Sequence, residues 1–112
     1  MKLIEAIIRQ EKLDAVKAAL EASGYFGMTV SEVSGRGRQG GLTLQWRVGE
    51  YKVDLLPKIK VEVVVLDEDA ARILNVITTM ARTGEMGDGK LFVLPVENAV
   101  RVRTGEEGDN AI

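Results

Sequence analysis

The stretch that most constrains this chain is Lys58–Leu66, where Ile59, Val61, Val63 and Val65 alternate with Lys58, Lys60, Glu62 and Val64. Period two sends successive side chains to opposite sides of an extended backbone, so residues 58–66 read as a strand with one apolar and one mixed face. Such a strand needs helices over its apolar face, and 112 residues leave room for one core only. The remaining patterns supply that architecture. Residues 2–9 mix Leu3, Ile4, Ile7 and Ile8 with Glu5 and Arg9 and read as a strand. Over 12–23, Leu13, Val16 and Leu20 recur at helical spacing with Gly24 just beyond, an amphipathic helix with a glycine stop. Residues 28–34 are β-like. Asp67 is expected to cap a second helix whose stripe is Ala70, Ile73, Leu74, Ile77 and Met80. Residues 91–96 make a further strand, and the polar tail Gly105–Ile112 is expected to be mobile.

Strand, helix, strand, long connection, strand, helix, strand is the order of the split βαβ, giving an α+β, ferredoxin-like βαββαβ sandwich as one domain over 1–112. Right-handed crossovers put both helices on one side of the sheet. The opposite face is then either an association surface, which predicts a homo-oligomer, or polar enough to stay wet. The connection 36–57 is long for so small a domain. Within it Leu42, Leu44, Trp46 and Val48 alternate with Thr43, Gln45 and Arg47, a pattern that can close as a hairpin, and it holds the only Trp. An arm bearing large apolar residues reads as a partner-binding element.

Composition removes several chemistries. The chain has no Cys and no His, hence no disulfide, thiolate nucleophile or imidazole base. Fifteen Lys and Arg against 17 Asp and Glu give a net charge of −2, and a pI near 5.2 argues against nucleic acid as partner. Nothing approaches the ~18 consecutive apolar residues of a membrane span. The first five residues do not read as a signal peptide, and a cytoplasmic protein is expected.

Two phosphate motifs match in letters only. Gly35-x-Gly37-x-x-Gly40 fits the dinucleotide fingerprint, but the residues after it alternate with period two where a helix is required. Gly84-x-x-x-x-Gly89-Lys90 resembles a P-loop, yet Leu91 stands where Ser or Thr should hold Mg²⁺, and the loop runs from helix to strand. Gly87 and Gly89 around Asp88, followed by Lys90, nevertheless make either a backbone cradle for phosphate or an ordinary turn. Arg101 and Arg103, two apart, would point the same way in an extended segment and are either an anion fork or a solvated pair.

These residues, together with Lys2-Leu3-Ile4-Glu5-Ala6-Ile7-Ile8-Arg9, Thr29-Val30-Ser31-Glu32-Val33, Gly35-Arg36-Gly37-Arg38-Gln39, Val53-Asp54-Leu55-Leu56-Pro57-Lys58, Ala81-Arg82-Thr83-Gly84, Gly89-Lys90-Leu91-Phe92 and Arg103-Thr104-Gly105-Glu106, carry a resemblance. The sequence resembles the PII nitrogen-regulatory signal-transduction proteins over essentially its whole length. The resemblance implies a homotrimer with ATP or ADP in clefts between neighbouring copies. It implies that Gly87, Asp88, Gly89, Lys90, Arg101 and Arg103 hold the phosphates, while Ile7, Thr29, Gly35, Gly37, Arg38, Glu62 and Val64 line the adenosine end. It further implies that 2-oxoglutarate joins Mg-ATP at the base of a T-loop (about 37–55). There Gln39 would ligate Mg²⁺, Lys58 would pair with the far carboxylate, and Gly37, Gly40 and Gly41 would hold the keto acid. A hard cation suits amide, phosphate and keto oxygens.

In such a protein each effector favours one T-loop conformation, so occupancy becomes loop shape. The implied partners are an Amt-type ammonium transporter, through which alone the protein would meet the inner face of the plasma membrane, and nitrogen-assimilation enzymes such as glutamine synthetase. Where the family usually reads Tyr-Arg-Gly-Ala/Ser-Glu-Tyr, this chain reads Trp46-Arg47-Val48-Gly49-Glu50-Tyr51. Tyr51 is the residue uridylylation would take, and Gly49 replaces a serine phosphorylated in some relatives. The rival reading is a phosphate-handling, ATP-binding enzyme of the same fold, which would have to work without histidine as a base. An RNA-binding module would need aromatic residues on its central strands, where only Phe92 stands.

Overall fold

In the computed structural model the chain is described over residues 1–37, 42–46, 49–53 and 55–112, with the side chains of 42–46 and 49–53 left aside. Strands β1 (Lys2–Ile8), β2 (Thr29–Gly35), β5 (Leu56–Val65) and β6 (Lys90–Pro95) form an antiparallel sheet in the order β2-β5-β1-β6. Helices α1 (Leu13–Ala22) and α2 (Ala70–Ala81) follow β1 and β5. The fold is α+β and ferredoxin-like, as the order of patterns predicts. Strands β3 (Leu42–Trp46) and β4 (Gly49–Val53) pair only with each other, Leu42 opposite Val53 and Trp46 opposite Gly49. The long connection thus does close as a hairpin, although Arg47 and Val48 lie outside the described residues.

The alternation of β5 builds the core. Ile59, Val61, Val63 and Val65 are buried, and the register sets Val61 against Ala6 and Val63 against Ile4 on β1. Val16 and Leu20 of α1 and Ile73 and Ile77 of α2, all fully buried, cover this face. Helix α1 stops where the glycine predicts. Gly24 adopts φ +92°, its N–H reaches the Glu21 carbonyl and the Tyr25 N–H reaches the Leu20 carbonyl at 2.9 Å, which satisfies the last turn.

Four local expectations are corrected. Residues 10–12 form a 3-10 turn, so α1 begins at Leu13. Asp67 does not cap α2: residues 67–69 make another 3-10 turn, and the Asp67 carboxylate accepts from the Met1 amino group at 2.8 Å. The apolar stripe of α2 ends on buried Ala81 at i+4 from Ile77, while Met80 is exposed. Arg101 and Arg103 do not lie in an extended segment. Residues 102–104 turn, closed by the Gly105 N–H on the Arg101 carbonyl at 2.7 Å. In the polar tail, Gly108–Ala111 form a 3-10 turn, tied back by the Gly108 N–H to the Ala99 carbonyl at 2.9 Å.

Candidate nucleotide site

The loop from α2 to β6 is folded around one carboxylate. Asp88 Oδ2 accepts from the Thr83 and Gly84 N–H groups, each at 2.9 Å, and Oδ1 accepts from the Thr83 hydroxyl at 2.6 Å. Arg9, just past β1, donates from Nε to Asp88 Oδ1 at 2.9 Å and from Nη2 to the Met86 carbonyl at 2.7 Å. Lys58 on β5 donates from Nζ to the Gly87 carbonyl at 2.5 Å. The Thr83 hydroxyl foremost, then Arg9, hold the Asp88 carboxyl well below the usual carboxylate range. Asp88 is therefore an inward-turned acceptor that shapes the loop, with no proton to offer an anion.

Two glycines are required here. Gly87 has φ +98°, and a Cβ on Gly89 would stand 1.4 Å from the Ile7 carbonyl oxygen. No side chain fits where the loop comes up against the Ile7 backbone at the end of β1. Next along the chain, Lys90 opens β6 opposite Ile7 and makes no ion pair among the described residues. Ile7, Asp88 and Gly89 line a small cavity of about 120 Å³ with Arg82 and Leu91.

A second, larger cleft of about 940 Å³ lies between the Ser23–Thr29 connection leading into β2 and the Glu62–Leu66 end of β5. Thr29, Glu62 and Val64 line it together, Thr29 facing Glu62 across the β2–β5 ladder. Its wall includes Tyr25, whose hydroxyl donates to Asp69 at 2.5 Å and accepts from the Leu66 N–H at 3.1 Å. Burial foremost, and then the bond to Asp69, push the Tyr25 hydroxyl up from its ordinary value.

The predicted site residues therefore fall into separate groups within one chain. Ile7, Lys58, Gly87, Asp88, Gly89 and Lys90 gather at the loop; Thr29, Glu62 and Val64 gather in the cleft. Gly35 ends β2 opposite Leu56 beside Lys58, and Gly37 follows it. Arg101 is paired with Glu106 at 3.3 Å, and no hydrogen bond or ion pair among the described residues brings it or Arg103 to the loop. Arg38, Gln39, Gly40 and Gly41 lie outside the described residues; Tyr51 lies on β4 opposite Leu44. Sequence reasoning missed Arg9, Thr83 and Tyr25. The partners of Arg9 stand 77 and 79 residues away, and nothing local marks it.

The family model described as "Nitrogen regulatory protein P-II" matches residues 1–106. Relatives include Nitrogen regulatory protein P-II 2 of Methanothermobacter thermautotrophicus, 55% identical over all of this chain and 97% of that one. Others are the Nitrogen regulatory protein P-II of Microchaete diplosiphon and that of Nostoc punctiforme, each 54% identical over the full length of both chains. The chain belongs to the P-II family. P-II membership agrees with the failure of both phosphate motifs: β3, a strand, is the described element after Gly35-x-Gly37, and the Gly84–Lys90 run leads from α2 into β6. These P-II relatives are named as regulatory proteins. Among the described residues, no helix is long and apolar enough to cross a membrane.

Proposed function

We propose that this P-II protein senses ATP or ADP, together with Mg²⁺ and 2-oxoglutarate, and transmits their occupancy through the β3–β4 hairpin to a nitrogen-assimilation partner. The observation that carries the reading is the Thr83–Lys90 loop, held in one shape by Asp88 and leading directly into Lys90. A prearranged backbone with a lysine at its exit suits a polyphosphate, because no ordering remains to be done on binding. Gly89 fits the same purpose, since its missing side chain lets the loop lie flat against β1.

The separation of loop, cleft and arginine turn within one chain supports a site completed by a neighbouring copy, hence the homotrimer. Gly87, Gly89, Lys90, Arg101 and Arg103 would hold phosphates, with Thr29, Glu62 and Val64 at the adenosine end. Among the described residues no group of three or more Asp or Glu could cage a metal, which suits a Mg²⁺ held by Gln39 together with ligand oxygens. Bound Mg²⁺ supplies charge neutralisation to the triphosphate. Lys58, which donates to the Gly87 carbonyl of the loop, would pair with the far carboxylate of the dicarboxylate. The partner is of the ammonium-transporter or glutamine synthetase class, and Tyr51 on the hairpin is the candidate modification site.

The test is calorimetric titration with ATP, ADP and 2-oxoglutarate, with and without Mg²⁺, on protein sized by light scattering. A trimer that binds nucleotide and takes up 2-oxoglutarate only with Mg-ATP is expected; a lone subunit indifferent to both overturns the reading. Lys90→Ala and Arg103→Ala should each abolish nucleotide binding while the trimer persists. Lys58→Ala should lose 2-oxoglutarate and keep ATP.

A further inference from the structure

We propose that Arg9 is the positioning residue of the phosphate loop, fixing the Thr83–Lys90 backbone through Asp88 and Met86 without itself touching a ligand. The inference rests on the reading of that loop as a nucleotide site.

Arg9 is itself well anchored. It leaves β1 in extended backbone, and its carbonyl accepts from the Lys12 N–H at 3.1 Å, so its Cα is set between a strand and a 3-10 turn. Its side chain is only 21% exposed, and the guanidinium fork spans two loop residues. Nε takes Asp88 and Nη2 takes the Met86 carbonyl. Gly87 lies between them, and a Cβ there would stand 3.2 Å from Nη2, so the guanidinium rests against the bare backbone. On the other side of the loop, Gly89 meets the Ile7 carbonyl. Strand β1 and its extension thus grip the loop twice, by shape at Ile7 and by charge at Arg9.

Asp88 passes the constraint on. Its two oxygens gather the Thr83 hydroxyl and the Thr83 and Gly84 N–H groups, which fixes the start of the loop relative to its end. Arg9 supplies the cation in this set; among the described residues Asp88 has no other ion pair. A lysine would keep the charge but not the planar two-donor fork. Arg9→Lys therefore separates geometry from charge.

The experiment compares wild type, Arg9→Lys, Asp88→Asn and the double variant by ATP and ADP calorimetry, thermal denaturation and amide hydrogen exchange. Each single variant should weaken nucleotide binding roughly ten- to a hundredfold, the scale of one or two charge-assisted hydrogen bonds. The double variant should lose much less than the product of the two single losses, because the Arg9–Asp88 contact is common to both while Met86 on one side and Thr83 and Gly84 on the other remain each residue's own. In Arg9→Lys, exchange should quicken across Thr83–Lys90 while amides of β1, β5 and α2 keep their protection. Losses that multiply in the double variant, full affinity in Arg9→Lys, or exchange that quickens equally throughout the sheet would each overturn the proposal. A wild-type chain that ignores both nucleotides would defeat the functional reading instead. The exchange comparison still decides in that case whether Arg9 fixes the loop, and unchanged exchange in Arg9→Lys refutes it.

Discussion

On the helix side of the sheet, Ile59, Val61, Val63 and Val65 are at most 6% exposed, sealed by α1 and α2. One residue along the same strand, Lys58, Lys60, Glu62 and Val64 stand half-buried on a face that no described residue covers completely. Lys60 reaches Glu5 at 3.9 Å and Glu62 at 4.0 Å, two carboxylates directly opposite each other across β1 and β5. Phe92 and Leu94 extend this face onto β6, half-exposed. The first face is apolar and close-packed, where the loss of one methylene is felt. The second mixes charge with partly exposed apolar surface, where single contacts are worth little in water but can recognise something. The period of one strand therefore writes a sealed apolar face and a mixed, half-exposed face at once, and a one-residue slip would exchange them.

The comparison can be broken most severely where the two regimes meet. Gly89→Ala places a methyl group inside the Ile7 carbonyl. It should abolish nucleotide binding in calorimetry and cost about 2–4 kcal/mol of stability in urea, because backbone must move. Ile73→Ala, deep on the helix side, should cost about 2–5 kcal/mol in the same denaturation experiment yet leave nucleotide affinity unchanged in the folded protein. Lys60→Ala on the open face should change stability by no more than about 1 kcal/mol, and adding Glu62→Gln should recover part of it by relieving the facing carboxylates.

The smallest effect is expected with acid. Asp88 is held low by the Thr83 hydroxyl and Arg9, Asp69 by Tyr25, and Asp67 by the Met1 amino group. Each is lower folded than unfolded, so its stabilisation is present above the ordinary aspartate value of 3.8 and fades as pH falls below it. Asp88→Asn should flatten the acid limb of a stability–pH curve measured by urea denaturation; a limb as steep as wild type would assign it to other groups.

Elements governed by local repetition are legible in the sequence: the alternation of 58–66, the stripe through Val16 and Leu20, and the Gly24 stop. The start of α2 is less so. Asp67-Glu68-Asp69 looks like a capping run, but its first carboxylate is claimed by the chain's amino group 66 residues away, and the backbone tightens into a 3-10 turn. The choice between Met80 and Ala81 turns on which residue completes the i, i+4 row from Ile77, and size misleads where geometry decides. Of the site, the glycines and Lys90 are readable because loop conformation and charge are local properties. The carboxylate of Asp88 serves the loop itself, and no sequence pattern shows this, since its four donors come together only once the loop has closed on Arg9.

Strands β3 and β4 share hydrogen bonds with each other and with none of the four strands of the main sheet. A two-stranded ribbon contributes little to holding a domain together. Inheritance can therefore rewrite it at small risk to the body of the molecule. On the proposed reading of this ribbon as the partner-binding element, exchanging it between P-II relatives would move partner choice while the rest of each protein stayed as it was.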